Sequence, residues 1–337
     1  MSATNIKSIA VIGAGSWGTA LAILFARKGI HTTLWGHLPD HMQQLRDSRT
    51  NEEFLPGFRF PEDLEPCIEA GQALKNTTDV LVVVPSHVFC NVLASIKPFL
   101  VKNCRVAWAT KGLEQGTARL LHENAREVLG DRIPLAVISG PTFAREVAAG
   151  LPTALTIASM DSAFAADLAT AMNSETLRAY TCSDMTGVEL GGAIKNVLAI
   201  AAGISDGLGF GANTRSALIT RGLAEIMRLG IKLGGEAETF MGLTGMGDLV
   251  LTCTDDQSRN RRYGMAIAQG MKSGDALKSI GQVVEGIQTA QEVHRLAKRL
   301  GIEMPITNQV YRVIHEGMDP RKAVDELFAR ELKAEFD

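Results

Sequence analysis

Lys195 is the only formally charged residue in the stretch GGAIKNVLAIAAG, residues 191–203. On a helical wheel it shares its face with glycines and alanines, which offer little apolar surface along which a lysine stem could reach water. Small neighbours instead leave a hollow for a ligand or permit close contact with another backbone. Burial would lower the pKa of the lysine to a value suited to acid–base chemistry, unless an anionic partner opposes it. From this stretch alone, a packing face that carries a surface lysine remains the alternative.

A second candidate lies in DDQSRNRRYG, residues 255–264. Ser258 is a typical helix N-cap, yet three arginines follow in the first turn, where the helix macrodipole already disfavours cations. An anionic ligand reverses this penalty, because Arg259, Asn260 and the free backbone N–H groups can together hold a phosphate. The alternative is that the two aspartates just upstream neutralise the arginines.

Three further segments place polar groups at turns. Lys111 follows the apolar run VAWAT, and ligands of open α/β sheets bind at the carboxyl ends of strands. The small residues of SGPTFA, residues 139–144, can bring backbone N–H groups close to a ligand. Asp248 follows the glycine-rich turn TGMG and precedes an apolar run. The respective alternatives are a solvated loop lysine, a simple turn and a helix N-cap.

The sequence IAVIGAGSWGTA, residues 9–20, has the spacing of a dinucleotide-binding loop. It runs from an apolar strand through GxGxxG into a helix. Gly13 permits the tight turn, Gly15 lets the backbone approach a pyrophosphate, and Gly18 permits close packing of the helix on the strand. The N-terminus of the helix faces the anion. Because the motif opens an α/β chain, it predicts a dinucleotide cofactor.

The end of the second predicted strand bears on which dinucleotide is bound. Where NAD is selected, an acidic residue roughly 20 positions after the loop usually binds the ribose 2′-hydroxyl. Here the strand ends LWGH at His37, and no acidic residue occurs before Asp40. We therefore expect NADP(H) or NAD(H), with NADPH favoured. His37 is predicted to lie beside the ribose 2′ position, unless it is an ordinary loop histidine.

The elements that must position these residues fall into two groups. Short apolar runs alternate with helical patterns up to about residue 186, which predicts βαβ units and a parallel sheet buried on both faces. The predicted strands are Ser8–Ile12, Thr32–Trp35, Asp79–Val84, Arg105–Ala109, Leu135–Ser139, Ala154–Ala158 and Leu177–Tyr180. The helices predicted after that point are Val188–Ile204, Thr214–Leu233, Arg259–Met271, Gly286–Leu300, Thr307–Glu316 and Arg321–Leu332.

These patterns predict a fold class and a domain division. We expect an α/β Rossmann-type dinucleotide-binding domain over residues 1–188. An all-helical (all-α) domain for substrate binding and dimerisation is expected over residues 189–337.

Composition limits the class of protein. The 337 residues are 46% hydrophobic and 21% charged with a net charge of −3, so neither nucleic acid nor a membrane surface is an expected partner. Five scattered cysteines without a CxxC pair argue against a disulfide framework or a zinc site. The N-terminus lacks the pattern of a signal peptide, and no apolar run is long enough to span a bilayer. We expect a soluble, cytoplasmic protein without a metal site.

Together the motifs closely resemble one family, the NAD(P)-dependent glycerol-3-phosphate dehydrogenases of the bacterial biosynthetic type. The sequence GAIKNVLAIAAGISDGLGFGAN, residues 192–213, is similar to that family's long signature. The motifs GAGSWGTA, ATKG, SGPTFA, GMGDLVLTCT, QSRNRR and GQVVEG occur in the expected order. The similarity covers nearly the whole chain and shows no departure at a motif position.

The resemblance implies roles for the matching residues. Lys195 matches the catalytic proton donor and acceptor, with Lys111 and Asp248 beside it. The positions that match substrate contacts are Lys111, Gly140, Thr142, Lys195, Asn196, Asp248, Ser258, Arg259 and Asn260. The positions that match cofactor contacts are Gly13, Gly15, Ser16, Trp17, Gly18, His37, Lys111, Ala144, Arg259, Val283 and Glu285.

The activity implied is the reversible reduction of dihydroxyacetone phosphate to sn-glycerol 3-phosphate, which supplies glycerophospholipid synthesis in an enzyme that is typically a homodimer. A reductase of β-hydroxyacids or of ketopantoate is a near alternative, but its substrates are carboxylates, whereas the arginine-rich helix start favours a phosphate. A catalytically silent dinucleotide sensor would keep the glycine loop without needing Lys195, Lys111 and Asp248 together.

Overall fold

The computed structural model describes residues 5–331 and 334. Within them, ten strands form in the first half of the chain: β1 (Ser8–Ile12), β2 (His31–Trp35), β3 (Thr50–Asn51), β4 (Leu55–Arg59), β5 (Leu64–Cys67), β6 (Asp79–Val82), β7 (Arg105–Trp108), β8 (Leu135–Ser139), β9 (Thr153–Ala158) and β10 (Leu177–Cys182). Eight of them form one sheet in the order β10-β9-β8-β7-β6-β1-β2-β5, and β3 pairs with β4.

Helices cover this sheet and then continue alone. Those that connect the strands are α1 (Ser16–Arg27), α2 (Pro39–Ser48), α3 (Ala70–Ala73), α4 (Phe89–Ile96), α5 (Leu121–Leu129), α6 (Ala144–Ala149) and α7 (Ser162–Met172). Those that follow are α8 (Met185–Gly207), α9 (Ala212–Lys232), α10 (Ala237–Met241), α11 (Asp248–Thr254), α12 (Arg259–Ala268), α13 (Ser273–Ile280), α14 (Glu285–Leu300), α15 (Pro305–His315) and α16 (Pro320–Phe328). The predicted fold class, an α/β Rossmann-type domain followed by an all-helical one, is confirmed.

Strand β1 lies inside the sheet because its last four residues are apolar. Ala10, Val11 and Ile12 are fully buried, and the parallel strands β2 and β6 flank β1, with Ile12 opposite Trp35 and Val82. The chain builds from β1 toward β2 and β5 on one side and then crosses back to β6 on the other. The strand order reverses at this point, and a doubly wound sheet binds its ligand in the crevice at such a reversal.

The far end of the sheet departs from the predicted parallel arrangement. Strand β9 pairs antiparallel with β8, with Val137 opposite Ala158, and β10 then pairs parallel with β9. The connection from β8 to β9 holds only the six-residue helix α6, whereas a parallel crossover usually contains a full-length helix. The prediction of a parallel sheet was wrong for these two strands, because an apolar run gives no information on strand direction.

Three strands escape prediction from the sequence. Strand β5 contains Pro66, which lies opposite Leu34 of β2. Proline cannot donate to a strand ladder, and it is tolerated here because β5 is the edge strand. Strands β3 and β4 are a short antiparallel pair with an irregular register. Neither has the alternating or continuous apolar pattern that identifies a strand.

Helix α8 forms the centre of the second half. Almost all of its 23 residues are buried, including two charged side chains. Glycines let α12 approach closely, since a Cβ on Gly203 would clash with the carbonyl oxygen of Arg261, and one on Gly264 would clash with that of Ile200. In the described part of the chain, α8 alone is long and apolar enough to cross a bilayer, and its most apolar 18-residue stretch is buried inside the protein.

The start of α8 joins the two halves. Met185 and Val188 belong to the apolar core on one face of the sheet, whereas Leu190 and the apolar residues after it belong to the core of the helical half. The division at residue 188 remains a prediction. Helices α10, α11 and α13 were not predicted, because segments of five to eight residues are too short to show a helical period.

Candidate active site

Three charged side chains from distant parts of the chain meet in one cluster. Lys195 comes from the middle of α8, Asp248 is the first residue of α11, and Lys111 follows β7. The ammonium of Lys195 donates to Oδ1 of Asp248, and Nζ of Lys111 lies 2.6 Å from Oδ2 of the same carboxylate. Lys195 is 6% exposed and Asp248 is fully buried, so the surface-lysine alternative for Lys195 is wrong. Asp248 does not cap its helix, because the N-cap residue is Gly247.

Burial and charge together set the pKa of Lys195. Burial lowers this pKa most strongly, the carboxylate of Asp248 raises it, and the ammonium of Lys111 lowers it again, to about 7. A group whose pKa lies near the working pH can both donate and accept a proton at little cost. Strongly perturbed groups of this kind are concentrated at functional sites.

Thr252 completes the cluster, and the sequence did not reveal it. Its hydroxyl oxygen accepts from Nζ of Lys195 at 2.9 Å and donates to the backbone oxygen of Asp248 at 2.6 Å. Thr252 lies four residues after Asp248, so the two share one face of α11. That spacing is the signal that could have identified it, once Asp248 had been placed on a helix rather than in a turn.

The glycines beside Lys195 permit close packing rather than leaving a hollow. A Cβ on Gly191 would lie 2.8 Å from the backbone oxygen of Thr244, and one on Gly192 would lie 2.7 Å from Oγ of Ser139. A side chain at Gly191 would push α8 away from the backbone of Thr244, and one at Gly192 would displace the Ser139 side chain. The expectation of ligand space at these two glycines was therefore wrong: Gly191 lies against the backbone of Thr244, and Gly192 lies against the side chains of Ser139 and Lys111.

Lys111 and the SGPTFA segment form one side of the site. Nζ of Lys111 donates to the backbone oxygen of Gly140 at 3.2 Å, and the hydroxyl of Thr142 donates to the same oxygen at 3.2 Å. Gly140 has a φ of +149°, and a Cβ there would lie 2.8 Å from Cα of Leu155, so only glycine fits this turn. Ala144 is the first residue of α6. These contacts place Gly140 and Thr142 beside Lys111.

The arginine-rich start of α12 separates into two functions. Ser258 caps the helix, since its side chain accepts from the backbone N of Arg261. The Arg261 guanidinium pairs with Asp206 and Asp256, so the neutralisation alternative is correct for this arginine. Arg259 has neither a hydrogen bond nor an ion pair with the described residues, and burial lowers the pKa of its guanidinium. Arg259 is the first residue of α12, and a helix N-terminus is a ready anion site.

Asn260 connects three helices. Its Nδ2 donates to Oδ1 of Asn196 on α8 at 3.0 Å, and its Oδ1 accepts from the backbone N of Gly286 on α14 at 2.9 Å. Both asparagines are buried. Asn196 directly follows Lys195, so this network fixes the start of α12 relative to the lysine.

The glycine loop has the geometry that its spacing predicts. Gly13 has a φ of +126°, and a Cβ there would clash with the backbone oxygen of Val83; a Cβ on Gly18 would clash with that of Gly13. At Gly15, in contrast, nothing lies within 4 Å of an added Cβ. Ser16, Trp17 and the residues after them begin α1 directly. The open space at Gly15, beside a helix N-terminus, fits the pyrophosphate of a dinucleotide.

The start of α14 faces the glycine loop from the helical half. Ser16 Oγ donates to Oε1 of Gln282 at 3.4 Å, and Ser86, just after β6, donates to Oε2 of Glu285 at 3.1 Å. Burial raises the pKa of Glu285 to about 7, and Ser86 and Arg259 oppose that rise. Val283 is 44% exposed. Residues from both halves of the chain thus surround the space over the glycine loop.

His37 makes none of the contacts described above. It follows β2 and is exposed on the surface, and no hydrogen bond joins its ring to a described residue. The described residues contain no group of three or more His, Cys, Asp or Glu side chains that could hold a metal ion.

The fold and this site define a class of protein, the two-domain NAD(P)-dependent dehydrogenases. A Rossmann-type loop at a sheet reversal is typical of a dinucleotide site, and a buried lysine with a pKa of about 7 is chemically suited to proton transfer. Residues 8–165 match the NAD-dependent glycerol-3-phosphate dehydrogenase N-terminus, and residues 184–325 match the C-terminus of the same family. The chain belongs to the NAD-dependent glycerol-3-phosphate dehydrogenase family.

Individual relatives agree with this assignment. The chain is 56% identical over 330 residues to the glycerol-3-phosphate dehydrogenase [NAD(P)+] of Bartonella henselae, covering 98% of this chain and 97% of the relative. It is 56% identical over 332 residues to that of Shewanella halifaxensis, covering 98% of each. The crystal structure of glycerol-3-phosphate dehydrogenase from Coxiella burnetii superposes with a TM-score of 0.94 at 50% identity, covering 96% of this chain and 99% of that one.

These similarities confirm the resemblance inferred from the motifs. The protein is an oxidoreductase that uses NAD(H) or NADP(H). A ketopantoate reductase from Ralstonia eutropha JMP134 superposes with a TM-score of only 0.58 at 18% identity, covering 94% of this chain and 99% of that one. That similarity reflects the shared fold alone.

Proposed function

We propose that the chain reduces dihydroxyacetone phosphate to sn-glycerol 3-phosphate with Lys195 as the proton donor, and that the product supplies glycerophospholipid synthesis. The observation that carries this proposal is the buried cluster in which one carboxylate, that of Asp248, accepts from both Lys195 and Lys111. Two ammonium groups on one carboxylate leave net positive charge beside the cofactor side of the site. Net positive charge favours a phosphorylated ketone and its developing oxyanion.

Lys195 carries the chemical step. A dihydronicotinamide cofactor, when bound, would supply a hydride to C2 of the ketone, and negative charge would develop on the carbonyl oxygen. The ammonium of Lys195 stabilises that charge and then donates its proton, which a pKa of about 7 makes easy at neutral pH. In the reverse direction the neutral amine takes the proton from the alcohol.

The surrounding residues orient the substrate. Asp248 holds both lysines in place, and Lys111 adds positive potential near the carbonyl. The phosphate is proposed to bind at the start of α12, where Arg259 makes no hydrogen bond or ion pair with the described residues and helix N-terminal N–H groups favour an anion. The further substrate contacts proposed are Gly140, Thr142, Asn196, Ser258 and Asn260.

The glycine loop and the start of α14 are proposed to hold the dinucleotide. The open space at Gly15 takes the pyrophosphate. The other contacts proposed are Gly13, Ser16, Trp17, Gly18, His37, Lys111, Ala144, Arg259, Val283 and Glu285. NADPH is favoured over NADH because no acidic side chain follows the end of β2 before Asp40, so nothing there repels a 2′-phosphate.

We further propose a cytoplasmic homodimer, as the resemblance implies, with neither nucleic acid nor a membrane as partner. A groove of about 890 Å³ opens between α8, α9, α15 and α16. Phe328 ends α16 at the edge of this groove with 78% of its surface exposed. From Ala212 to Arg221 on α9, no side chain is buried. A second copy that inserts Phe328 into the groove would cover both apolar surfaces in one two-fold contact.

A direct assay tests the activity. Oxidation of NADPH or NADH is followed spectroscopically with dihydroxyacetone phosphate and, in parallel, with a keto acid. Each substrate is tested with both cofactors. We expect oxidation with the phosphate substrate only, and faster turnover with NADPH. Oxidation with the keto acid alone would assign the chain to the carboxylate reductases, and no oxidation with either substrate would favour a dinucleotide sensor.

A further inference from the structure

Glu189 is a buried carboxylate that the proposed reaction does not use. It lies on α8, its side chain is 1% exposed, and it accepts three hydrogen bonds. The indole Nε1 of Trp108 donates to it at 3.2 Å, the backbone N of His122 at 3.0 Å, and Nδ1 of His122 at 2.7 Å. A buried carboxylate is costly unless fully bonded, so this arrangement holds α8 firmly against its two partners.

The two partners of Glu189 lie at the two ends of one segment. Trp108 is the last residue of β7 and His122 is the second residue of α5, and Lys111 lies in the segment between them. The middle of that segment is embedded in the helical half, where its apolar side chains Leu113 and Leu120 join the core. We call residues 109–121 the Lys111 segment. One carboxylate of the helical half therefore fixes both ends of the segment that carries Lys111.

The stem of Lys111 rests directly on α8. A Cβ added to Gly192 would lie 3.6 Å from Cγ and 3.7 Å from Cδ of Lys111. Gly192 lies three residues after Glu189, so both residues lie on the same side of α8. The position of α8 relative to β7 consequently determines where the Lys111 ammonium meets Asp248.

We propose that Glu189 is a positioning residue, which holds Lys111 in contact with Asp248 by fixing the Lys111 segment to α8. The catalytic role of Lys111 in this proposal rests on the proposed function, whereas the position of Lys111 does not. Displacement of Lys111 has a measurable electrostatic effect, because the Lys111 ammonium is one of the groups that lower the pKa of Lys195.

The chain provides a matched control in Glu225. It is also a buried glutamate of the helical half and also accepts three bonds, from the backbone N of Ile306 at 2.6 Å and from the backbone N and hydroxyl of Thr307 at 3.1 and 2.9 Å. Burial raises the pKa of both carboxyls. Glu225 anchors the start of α15 and makes neither a hydrogen bond nor an ion pair with Lys195, Lys111 or Asp248. Its loss measures what any buried helix anchor contributes to stability.

The experiment compares Glu189→Ala with Glu225→Ala in the full-length enzyme. We expect both variants to melt at lower temperature. Only Glu189→Ala should raise KM for dihydroxyacetone phosphate, by roughly 10-fold to 100-fold, since a misplacement of about 1 Å can cost 10²-fold. Glu189→Gln keeps the shape and two of the bonds, so it should recover most of the loss, and it decides the question if the alanine variant does not fold.

The pH profile separates positioning from a purely structural role. The titratable groups that face Lys195 are Asp248, Lys111 and the thiol of Cys253. At the far end of the Lys111 segment, the charged groups that face His122 are Glu189 on α8 and Glu123 and Arg126 on α5. With Lys111 displaced, the alkaline limb of kcat/KM for ketone reduction should move to higher pH in Glu189→Ala. The limb should stay in place in Glu225→Ala.

Two further measurements can overturn the proposal. Acetic anhydride labelling with mass spectrometry reports the exposure of Lys111 without requiring catalysis, and we expect faster labelling of Lys111 in Glu189→Ala only. If Glu189 acts through Lys111, Glu189→Ala should add nothing to Lys111→Ala in a double-mutant cycle. Unchanged labelling, or additive effects in the cycle, would show that Glu189 only stabilises the fold. A wild-type enzyme inactive on the ketone would refute the proposed function but leave the labelling result decisive for Glu189.

Discussion

At the scale of single residues, the site depends on one carboxylate shared by two ammonium groups. Asp248 alone would hold the proton of Lys195 tightly, because a buried ion pair raises the pKa of the lysine. Lys111 weakens that hold by adding a second positive charge, and burial weakens it further. The opposing effects leave Lys195 with a pKa of about 7, at which the proton can move in either direction. The same three charges would serve poorly in water, where their interactions are screened.

The pKa of Lys195 predicts opposite pH dependences for the two directions. Ketone reduction needs the ammonium, so kcat/KM for reduction should fall as the pH rises through about 7. Alcohol oxidation needs the neutral amine, so its kcat/KM should rise over the same range. Initial rates in both directions across the pH range test this. Two limbs of the same sign would exclude Lys195 as the group that titrates.

Replacement of Lys195 should remove the proton donor and spare cofactor binding. General acid catalysis is worth about 10²-fold to 10⁴-fold, so Lys195→Ala should lose at least that factor in kcat. Dinucleotide affinity, measured by calorimetry, should stay within about twofold. Lys278→Ala on the surface of α13 controls for the loss of a positive charge. Near-normal turnover of a folded Lys195→Ala would contradict the assignment.

Two arginines of the same helical turn provide a test of the phosphate site. Arg259 has no bond to the described residues, whereas Arg262 is exposed. A hydrogen bond to a charged group is worth about 1.5 to 3 kcal/mol, so Arg259→Ala should raise KM for the phosphorylated substrate by roughly 10-fold to 100-fold. Arg262→Ala should leave KM nearly unchanged. Equal increases in KM for the two substitutions would show that Arg259 acts only through its positive charge and does not bind the phosphate directly.

At the scale of elements, the turn from β1 into α1 contains glycines of two kinds within six residues: two that packing requires and one that packing does not. Gly13 and Gly18 are glycine because backbone oxygens occupy the positions where their Cβ atoms would lie. Gly15 faces open space and has an extended backbone with φ −77° that any residue can adopt. Nothing within the folded chain requires glycine at residue 15. The proposed dinucleotide would supply such a requirement, because its pyrophosphate has to approach the backbone at this position.

This difference predicts contrasting effects of adding one methyl group. Gly18→Ala should destabilise the protein strongly, because its new Cβ meets the backbone oxygen of Gly13. Gly15→Ala should melt at or slightly above the wild-type temperature, since alanine loses less chain entropy on folding. Its KM for the dinucleotide should nevertheless rise at least tenfold. Thermal melts and cofactor titrations of both variants check this. Unaltered cofactor binding in Gly15→Ala would show that the pyrophosphate does not bind at Gly15.

Much of this arrangement follows from local sequence, and the remainder depends on distant partners. The glycine loop could be predicted because its chemistry lies within six consecutive positions. The different environments of Arg259 and Arg261 could not be predicted, because Arg261 is neutralised by Asp206, which lies 55 residues away in the sequence. Likewise the glycines beside Lys195 indicated that one side of α8 carries little side-chain volume, but only the structure shows that the backbone of Thr244 packs there. The direction of β9 is also a property of the assembled sheet.

At the scale of the whole molecule, an apolar groove and an exposed aromatic side chain lie on one face of the helical half. Soluble chains rarely leave such surfaces uncovered. We expect the wild-type protein to be a dimer by light scattering after gel filtration. Phe328→Asp should shift it toward the monomer, because a charge would be buried in the apolar groove.

Met160 provides the control for that substitution. It is 71% exposed and follows β9, on the sheet half of the molecule. Met160→Asp should leave the dimer intact. A monomeric wild-type protein at micromolar concentration, or dissociation by both substitutions alike, would contradict a dimer formed through the groove.

The space over the glycine loop is closed by residues that are synthesised late. Ser16 contacts Gln282, which lies 266 positions further along the chain, and Ser86 contacts Glu285, 199 positions on. During translation the sheet leaves the ribosome first, and domains tend to fold in that order. A nascent chain that ends before α14 therefore has the glycine loop but only half of the proposed cofactor site. Since a ligand stabilises the state that binds it, the cellular dinucleotide pool would stabilise completed molecules in preference to unfinished ones.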